Sequence, residues 1–239
     1  MYYYELITYP LFILAILFSL YAQIKISSTY RKYASFYTRA GRNATDIAKM
    51  MLSDAGVYDV SIGRVYGNLT DHYDPRSNTL ALSDTTYAST SAAAIGVAAH
   101  EAGHAIQHAE GYFPIRLRGA LVPVTNFASK TSWLLIMIGA LITAFAYDSN
   151  IGYYALLAGI GLFAVTTLFQ LVTLPCEFNA SRRAITAIRA SGLYSGDEIK
   201  AARKVLNAAA MTYIAATFVS AIQLLRLLLL ITGRNNRRR

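Results

Sequence analysis

The chain has 239 residues, of which 55% are hydrophobic and only 15% charged. That is too apolar for an ordinary soluble domain and describes a membrane protein with a modest polar part. The net charge of +9 sits beside apolar segments, which is the positive-inside pattern and not a nucleic-acid surface, and the single cysteine, Cys176, excludes an intramolecular disulfide or a Cys-x-x-Cys motif.

Leu6 to Ile24 is a 19-residue stretch without a charge. It is long enough to cross a hydrocarbon core. Its start, Met-Tyr-Tyr-Tyr-Glu, lacks the basic opening of a cleaved signal peptide. It reads as a retained first span with Tyr2, Tyr3, Tyr4 and Tyr21 as interface anchors. Lys25 to Asn43 mixes Lys and Arg with aromatics, as a juxtamembrane surface does. A helix is expected over Ala44–Ala55, capped by Asn43 or Thr45 and stopped by Gly56.

Residues 57–82 read as short strands, with Asp74-Pro75-Arg76-Ser77-Asn78 a strong turn signal. The expectation is a small antiparallel sheet. Thr79–Ser83 is the candidate edge strand, able to hold an extended peptide by strand addition, with Asn78 and Leu80 as candidate substrate contacts. A plain structural hairpin is the equal alternative.

A helix over Ser89–Ala109 follows, ended by Gly111 and Pro114. It carries His100-Glu101-Ala102-Gly103-His104, the pattern H-E-x-x-H. Histidines four apart lie on one helical face and can share one metal ion. Glu101 stands where such a site carries its general base. A catalytic zinc needs a third protein ligand and an open fourth position. The metzincin pattern is excluded, because Gln107 and Glu110 occupy its Gly and third-His positions. His108 lies eight residues from His100, about 12 Å along the axis, too far to substitute. The third ligand therefore comes from elsewhere.

Apolar stretches at Leu134–Tyr147 and Ile151–Leu174, the first extendable back to Val122, form a helical hairpin. Trp133, Tyr147, Tyr153 and Tyr154 sit where interface aromatics belong, and Gly139, Gly152, Gly159 and Gly161 permit close packing. Pro175 then starts or kinks a helix carrying Glu177, an ionisable group at the membrane edge that needs a partner. On spacing alone, zinc or one of Arg182 and Arg183 could be that partner. A polar helix from Asp197, capped by Ser195, runs into apolar Ala208–Leu230, and a basic tail ends the chain.

Lys25–Lys130 carries 11 Lys or Arg and residues 175–210 carry six, which places both polar segments on the cytoplasmic side. If Ala208–Leu230 also crossed, the Arg-rich tail would lie outside. Gln223 and Arg226 favour a helix lying on the membrane or dipping into it.

Three segments together carry a resemblance: Asn78 to Ser83, the stretch from Ala93 through His108, and Leu174-Pro-Cys-Glu-Phe-Asn-Ala-Ser-Arg-Arg-Ala184. They resemble the bacterial neutral zinc metallopeptidases of the YugP type over nearly the whole chain. More distantly the sequence is similar to HtpX-like and CAAX-prenyl-type membrane gluzincins, whose third ligand is the Glu of a Glu-x-x-Ala-Asp segment. The resemblance implies Glu177 as that ligand. The relatives' Asp falls at Ser181, which leaves the group orienting a His ligand open, with Asn179 a candidate.

The resemblance implies a mainly α membrane protein, zincin-like, with three to four membrane-embedded helices. Its expected parts are a first span at 1–26, a catalytic portion at 27–120, a transmembrane hairpin at 121–174, a third-ligand helix and polar helix at 175–207, and an apolar helix with basic tail at 208–239. The implied activity is peptide hydrolysis with one Zn²⁺ on His100, His104 and Glu177 and Glu101 as general base. Arg183 or Tyr213 is the candidate second oxyanion donor. Expected partners are a peptide or protein substrate, membrane proteins among them, and the lipid bilayer, with no nucleic acid. The rivals are a scaffold or chaperone-like protein with a structural or vestigial zinc, which a fourth ligand such as Cys176 or His108 would support, and a metal transporter. The transporter reading needs further ligands along the spans, but Leu134–Leu174 offers only Asp148.

Overall fold

The computed structural model describes residues 2–145 and 150–235. The Tyr147–Asn150 connection and the last residues of the tail lie largely outside them. The order is α1 (Tyr2–Ala34), α2 (Ala44–Asp54), β1 (Ser61–Val65), β2 (His72–Asp74), β3 (Thr79–Ser83), α3 (Ala92–Ala109), α4 (Phe113–Phe145), α5 (Asn150–Ala190) and α6 (Gly196–Asn235). By internal packing the chain forms two compact units. One collects Met1–Leu20, Leu117–Thr173 and Tyr213–Arg239; the other collects Tyr21–Arg116 and Leu174–Thr212.

The first unit is helical and apolar. Among the described residues of the whole chain, four helices are long and apolar enough to cross a membrane: Leu6–Ala34, Phe113–Phe145, Asn150–Ala190 and Gly196–Thr232. Their large aliphatic side chains point outward, as Leu6, Ile7, Leu14 and Leu17 do on α1, because no aqueous penalty attaches to apolar surface in lipid. Gly139, Gly152 and Gly159 lie where a Cβ would come within 3.0 Å of backbone on the facing helix, so α4 and α5 pack through them; Gly161 faces open space and plays no such part. α6 is long and apolar enough to be a candidate span. Arg226 is accommodated by the rings of Tyr9 and Phe12, each 4.4 Å from its guanidinium carbon, and by Gln223 Oε1 at 3.1 Å. Those aromatics lie on α1, too far away in sequence for local pattern to reveal.

The second unit is built around a core of α2, β3, α3, the end of α5 and the start of α6. Ile47, Leu80, Leu82, Ile95, Ile188 and Val205 are its largest fully buried aliphatic side chains. Helix α2 begins with a capping box in which Asn43 and Asp46 satisfy each other's backbone amides. Gly56, at φ +71, lets the chain turn away afterwards. Ser91 caps α3, its hydroxyl accepting from the Ala94 amide, and Gly111 at φ +64 follows its end. Helix α5 runs through Pro175 without ending, which puts Glu177 inside a long helix.

The sheet has the order β1-β3-β2. β2 and β3 pair antiparallel, with Tyr73 opposite Leu80, as the turn signal leads one to expect. β1 pairs parallel to β3, Ile62 opposite Leu80, so the sheet is mixed and not wholly antiparallel. The loop between β1 and β2 carries the chain past β3's position, and β3 then fills the centre. Thr79–Ser83 is therefore the central strand and not the edge.

Candidate metal centre

Helix α3 places His100 and His104 one turn apart on one face, with ring centroids 4.7 Å apart and planes at 85°. Helix α5 brings Glu177 between them. Its Oε2 lies 3.1 Å from His100 Nε2 and 3.7 Å from His104 Nε2. One ligand atom from each of the three residues falls within 4.8 Å of the others. Zinc bond lengths near 2.0–2.2 Å in tetrahedral geometry ask for ligand atoms about 3.3 Å apart, so two nitrogens and a carboxylate oxygen at these spacings fit the ion. Close approach of the two helices makes this possible. At Gly103 a Cβ would stand 3.0 Å from Ala180 O and 3.2 Å from Ala180 Cα.

Each imidazole is held from behind. His100 Nδ1 lies 3.1 Å from Ser181 Oγ. His104 Nδ1 lies 3.0 Å from Gln107 Oε1. A ring that gives Nε2 to a cation carries its proton on Nδ1 and donates it there. Ser181 thus takes the place at which the distant relatives carry Asp. Asn179 does not touch His100; its Oδ1 accepts from Gln107 Nε2 at 2.9 Å and Arg183 Nε at 2.7 Å. Sequence reasoning missed Gln107 and Ser181. The available signal was spacing: Gln107 follows His104 by three residues and Ser181 follows Glu177 by four, each on the ligand's own face.

Glu101 sits beside the two histidines. Its Oε2 accepts the backbone amide of Tyr73 at 3.1 Å, which ties it to β2. Burial pushes its carboxyl pKa upward; the imidazoles of His104 and His100 oppose the shift, and the carboxylates of Glu177 and Asp71 add to it. Asp71 itself is engaged by the Ser83 amide at 2.7 Å and the Ser83 hydroxyl at 2.8 Å, which joins the entry to β2 to the end of β3.

The remaining candidates fall elsewhere. Leu80 is fully buried in the core. Asn78, at φ +50, accepts from Tyr73 Oη at 2.7 Å and donates to Asp59, so it holds its own turn. Neither lines an open strand edge. Arg183 binds Glu110 with two nitrogens, at 2.9 and 2.6 Å, besides its bond to Asn179. That bonding holds the Glu110 carboxyl below the usual carboxylate range. Tyr213 belongs to the other unit. Among the described residues the metal-ligating group holds three side chains and includes neither Cys176 nor His108.

The family model described as "Putative neutral zinc metallopeptidase" matches residues 8–232. The chain is 42% identical over 218 residues to "Putative membrane protease YugP" of Bacillus subtilis (strain 168), spanning 91% of this chain and 93% of that protein. No solved structure matches it. Zinc is the metal the family description implies, and the donor set above suits it. A match that runs from the first candidate span to the end of the last one, through the helices that carry His100, His104 and Glu177, shows that the chain belongs to the neutral zinc metallopeptidase family.

Proposed function

We propose that the chain is a membrane-embedded, zinc-dependent endopeptidase of the gluzincin type, holding one zinc ion on His100, His104 and Glu177. The observation that carries this reading is the convergence of both Nε2 atoms on Glu177 Oε2, at 3.1 and 3.7 Å, beside Glu101 at the zincin base position. Zinc held there would acidify a water and polarise a substrate carbonyl. Glu101 takes the proton of the attacking water on Oε1, the oxygen that Tyr73 leaves free, and delivers it to the departing amine. A three-residue donor set supports an open catalytic site over the closed, four-ligand site of a scaffold or chaperone-like protein.

The substrate is a peptide or protein, membrane proteins included. It lies extended along β2, since β2 is an edge strand packed against the metal helix and β3 is not. The catalytic unit faces the cytoplasm, because the Lys and Arg of residues 25–130 and 175–210 flank the spans on that side.

The test is zinc content and casein hydrolysis of the purified protein, wild type against Glu177→Ala. The reading expects about one zinc per chain and hydrolysis in the wild type, and loss of both in the variant. Full zinc and full hydrolysis in Glu177→Ala would refute it.

A further inference from the structure

We propose that the solvent-facing ion pair of Glu110 and Arg183 controls zinc affinity at His104 through a relay of two side-chain amides, Asn179 and Gln107. The inference rests on the metal-centre reading and names four positioning residues that do not themselves ligate.

The direction of every bond in the relay follows from two groups that act in only one way, the Arg183 guanidinium and the Cys176 carbonyl. A guanidinium can only donate. Arg183 Nε points at Asn179 from 2.7 Å, so the atom it meets is the amide oxygen. Gln107 must then meet that same oxygen with its nitrogen, and does so at 2.9 Å. The second proton of Gln107 Nε2 goes to the Cys176 carbonyl at 2.8 Å, an atom that can only accept. Both donors of Gln107 are thus spent on α5, and only its oxygen faces His104 Nδ1, at 3.0 Å. An oxygen accepts, so the imidazole proton is on Nδ1 and the lone pair of Nε2 is turned toward Glu177.

His100 has no such backing. A serine hydroxyl rotates and can donate or accept, so Ser181 steers the His100 ring without deciding which nitrogen carries the proton. The two imidazoles therefore differ: one is set, the other adaptable.

The relay also runs from the surface inward. The Glu110 side chain is 51% exposed and that of Arg183 27%, while Gln107 is fully buried. Glu110 and Arg183 line an open cavity of about 360 Å³ together with Met51, Asp54, Ile106 and Arg182. Removing the clamp frees Arg183 to rotate and releases Asn179 to flip, which leaves Gln107 held by the Cys176 carbonyl alone and loosens its grip on His104. A loosened Gln107 holds the Nδ1 proton of His104 less firmly, and ligation through Nε2 weakens with it.

The experiment measures zinc dissociation constants of the full chain in detergent micelles, by competition with a chelator, for the wild type, Glu177→Ala, Gln107→Met, Asn179→Leu, Asn179→Asp and Glu110→Gln. Gln107→Met is expected to weaken binding by about 10–100-fold, the range found when groups behind metal ligands are removed. Asn179→Leu and Glu110→Gln weaken it by about 10-fold or less, in that order. Asn179→Asp stays within about threefold of wild type, because both bonds to residue 179 are accepted by one oxygen that aspartate also has. Rescue by aspartate is the outcome that a merely structural role would not give. Equal binding in Gln107→Met, Asn179→Leu and wild type would overturn the relay, and so would equal weakening in both Asn179 variants. A nitrogen-15 spectrum of the zinc-loaded wild type keeps the test independent of variant folding: it must show the His104 proton on Nδ1, and a proton on Nε2 overturns the proposal. A wild type that takes up no zinc, or Glu177→Ala binding at wild-type strength, brings down the metal centre itself and the relay with it.

Discussion

Ser181 Oγ lies 3.1 Å from His100 Nδ1, one helical turn beyond the carboxylate of Glu177 on the same helix. One turn of α5 therefore supplies both a proposed ligand and the group behind another proposed ligand. A hydroxyl orients an imidazole less firmly than a carboxylate does, and raises its basicity less. Ser181→Ala should weaken zinc binding by about 10-fold, the lower end of the usual range. Ser181→Asp should bind zinc at least as tightly as wild type. Chelator competition reads both, and a Ser181→Ala protein with unchanged affinity would remove Ser181 from the centre.

Glu101→Gln separates binding from chemistry. The amide oxygen of glutamine can still accept from the Tyr73 backbone, so the local structure holds. The variant should keep its full zinc content and lose hydrolysis by a factor of about 10²–10⁴, the usual worth of a positioned base. Retention of wild-type turnover in the zinc-loaded variant would exclude Glu101 as the base.

Gly103 and Gly96 lie two turns apart on α3 and should respond in opposite ways. A Cβ at Gly103 presses on the Ala180 backbone at 3.0 and 3.2 Å, whereas one at Gly96 meets Ala202 at 3.4–3.5 Å, ordinary contact. Gly103→Ala should cost about 1–3 kcal/mol and weaken zinc binding, because it pushes apart the helices that carry the ligands. Gly96→Ala should be tolerated and gain up to about 1 kcal/mol of helix propensity. Thermal unfolding with and without zinc checks both, and a stable Gly103→Ala protein with normal affinity would contradict the packing argument.

The Glu110–Arg183 pair gives a pH signature whose sign follows from the lowered pKa of Glu110. A carboxyl with a folded pKa below its unfolded one stabilises the fold fully above the unfolded value, near 4.3. That contribution fades as pH falls through the folded value. Half-exposed as the pair is, it is worth about 1 kcal/mol or less. Wild type should therefore unfold at a slightly higher temperature than Glu110→Gln at pH 7, with the gap closing as pH drops below about 4. A gap that widens at low pH would reverse the assignment.

The parts of this protein governed by local rules are legible in its sequence. The shared face of His100 and His104 follows from helical spacing, the stop of α2 from Gly56, and the spans from unbroken apolar runs. Glu177 needed the likeness to related sequences, because its spacing alone allowed an arginine partner equally well. The parts set by distant pairing were not legible. β1 joins β3 in parallel across 18 residues, and neither short strand announces its partner. The rings of Tyr9 and Phe12 around Arg226 come from another helix, which local pattern does not reveal. Gln107 entered the reading only as a mismatch to a different motif. Its role depends on where two amides and a guanidinium meet, which no periodicity encodes.

The tie between Tyr73 and Glu101 is made by a main-chain N–H. Evolution can exchange the side chain at position 73 freely as far as this bond goes, since any residue but proline brings the same donor. Glu101, the proposed base, is thus anchored by something a point mutation scarcely reaches. In the docking proposed above, an occupant sliding along β2 tugs on that anchor, so docking and proton transfer share one carboxylate, and a poorly seated peptide disturbs the very group meant to cut it.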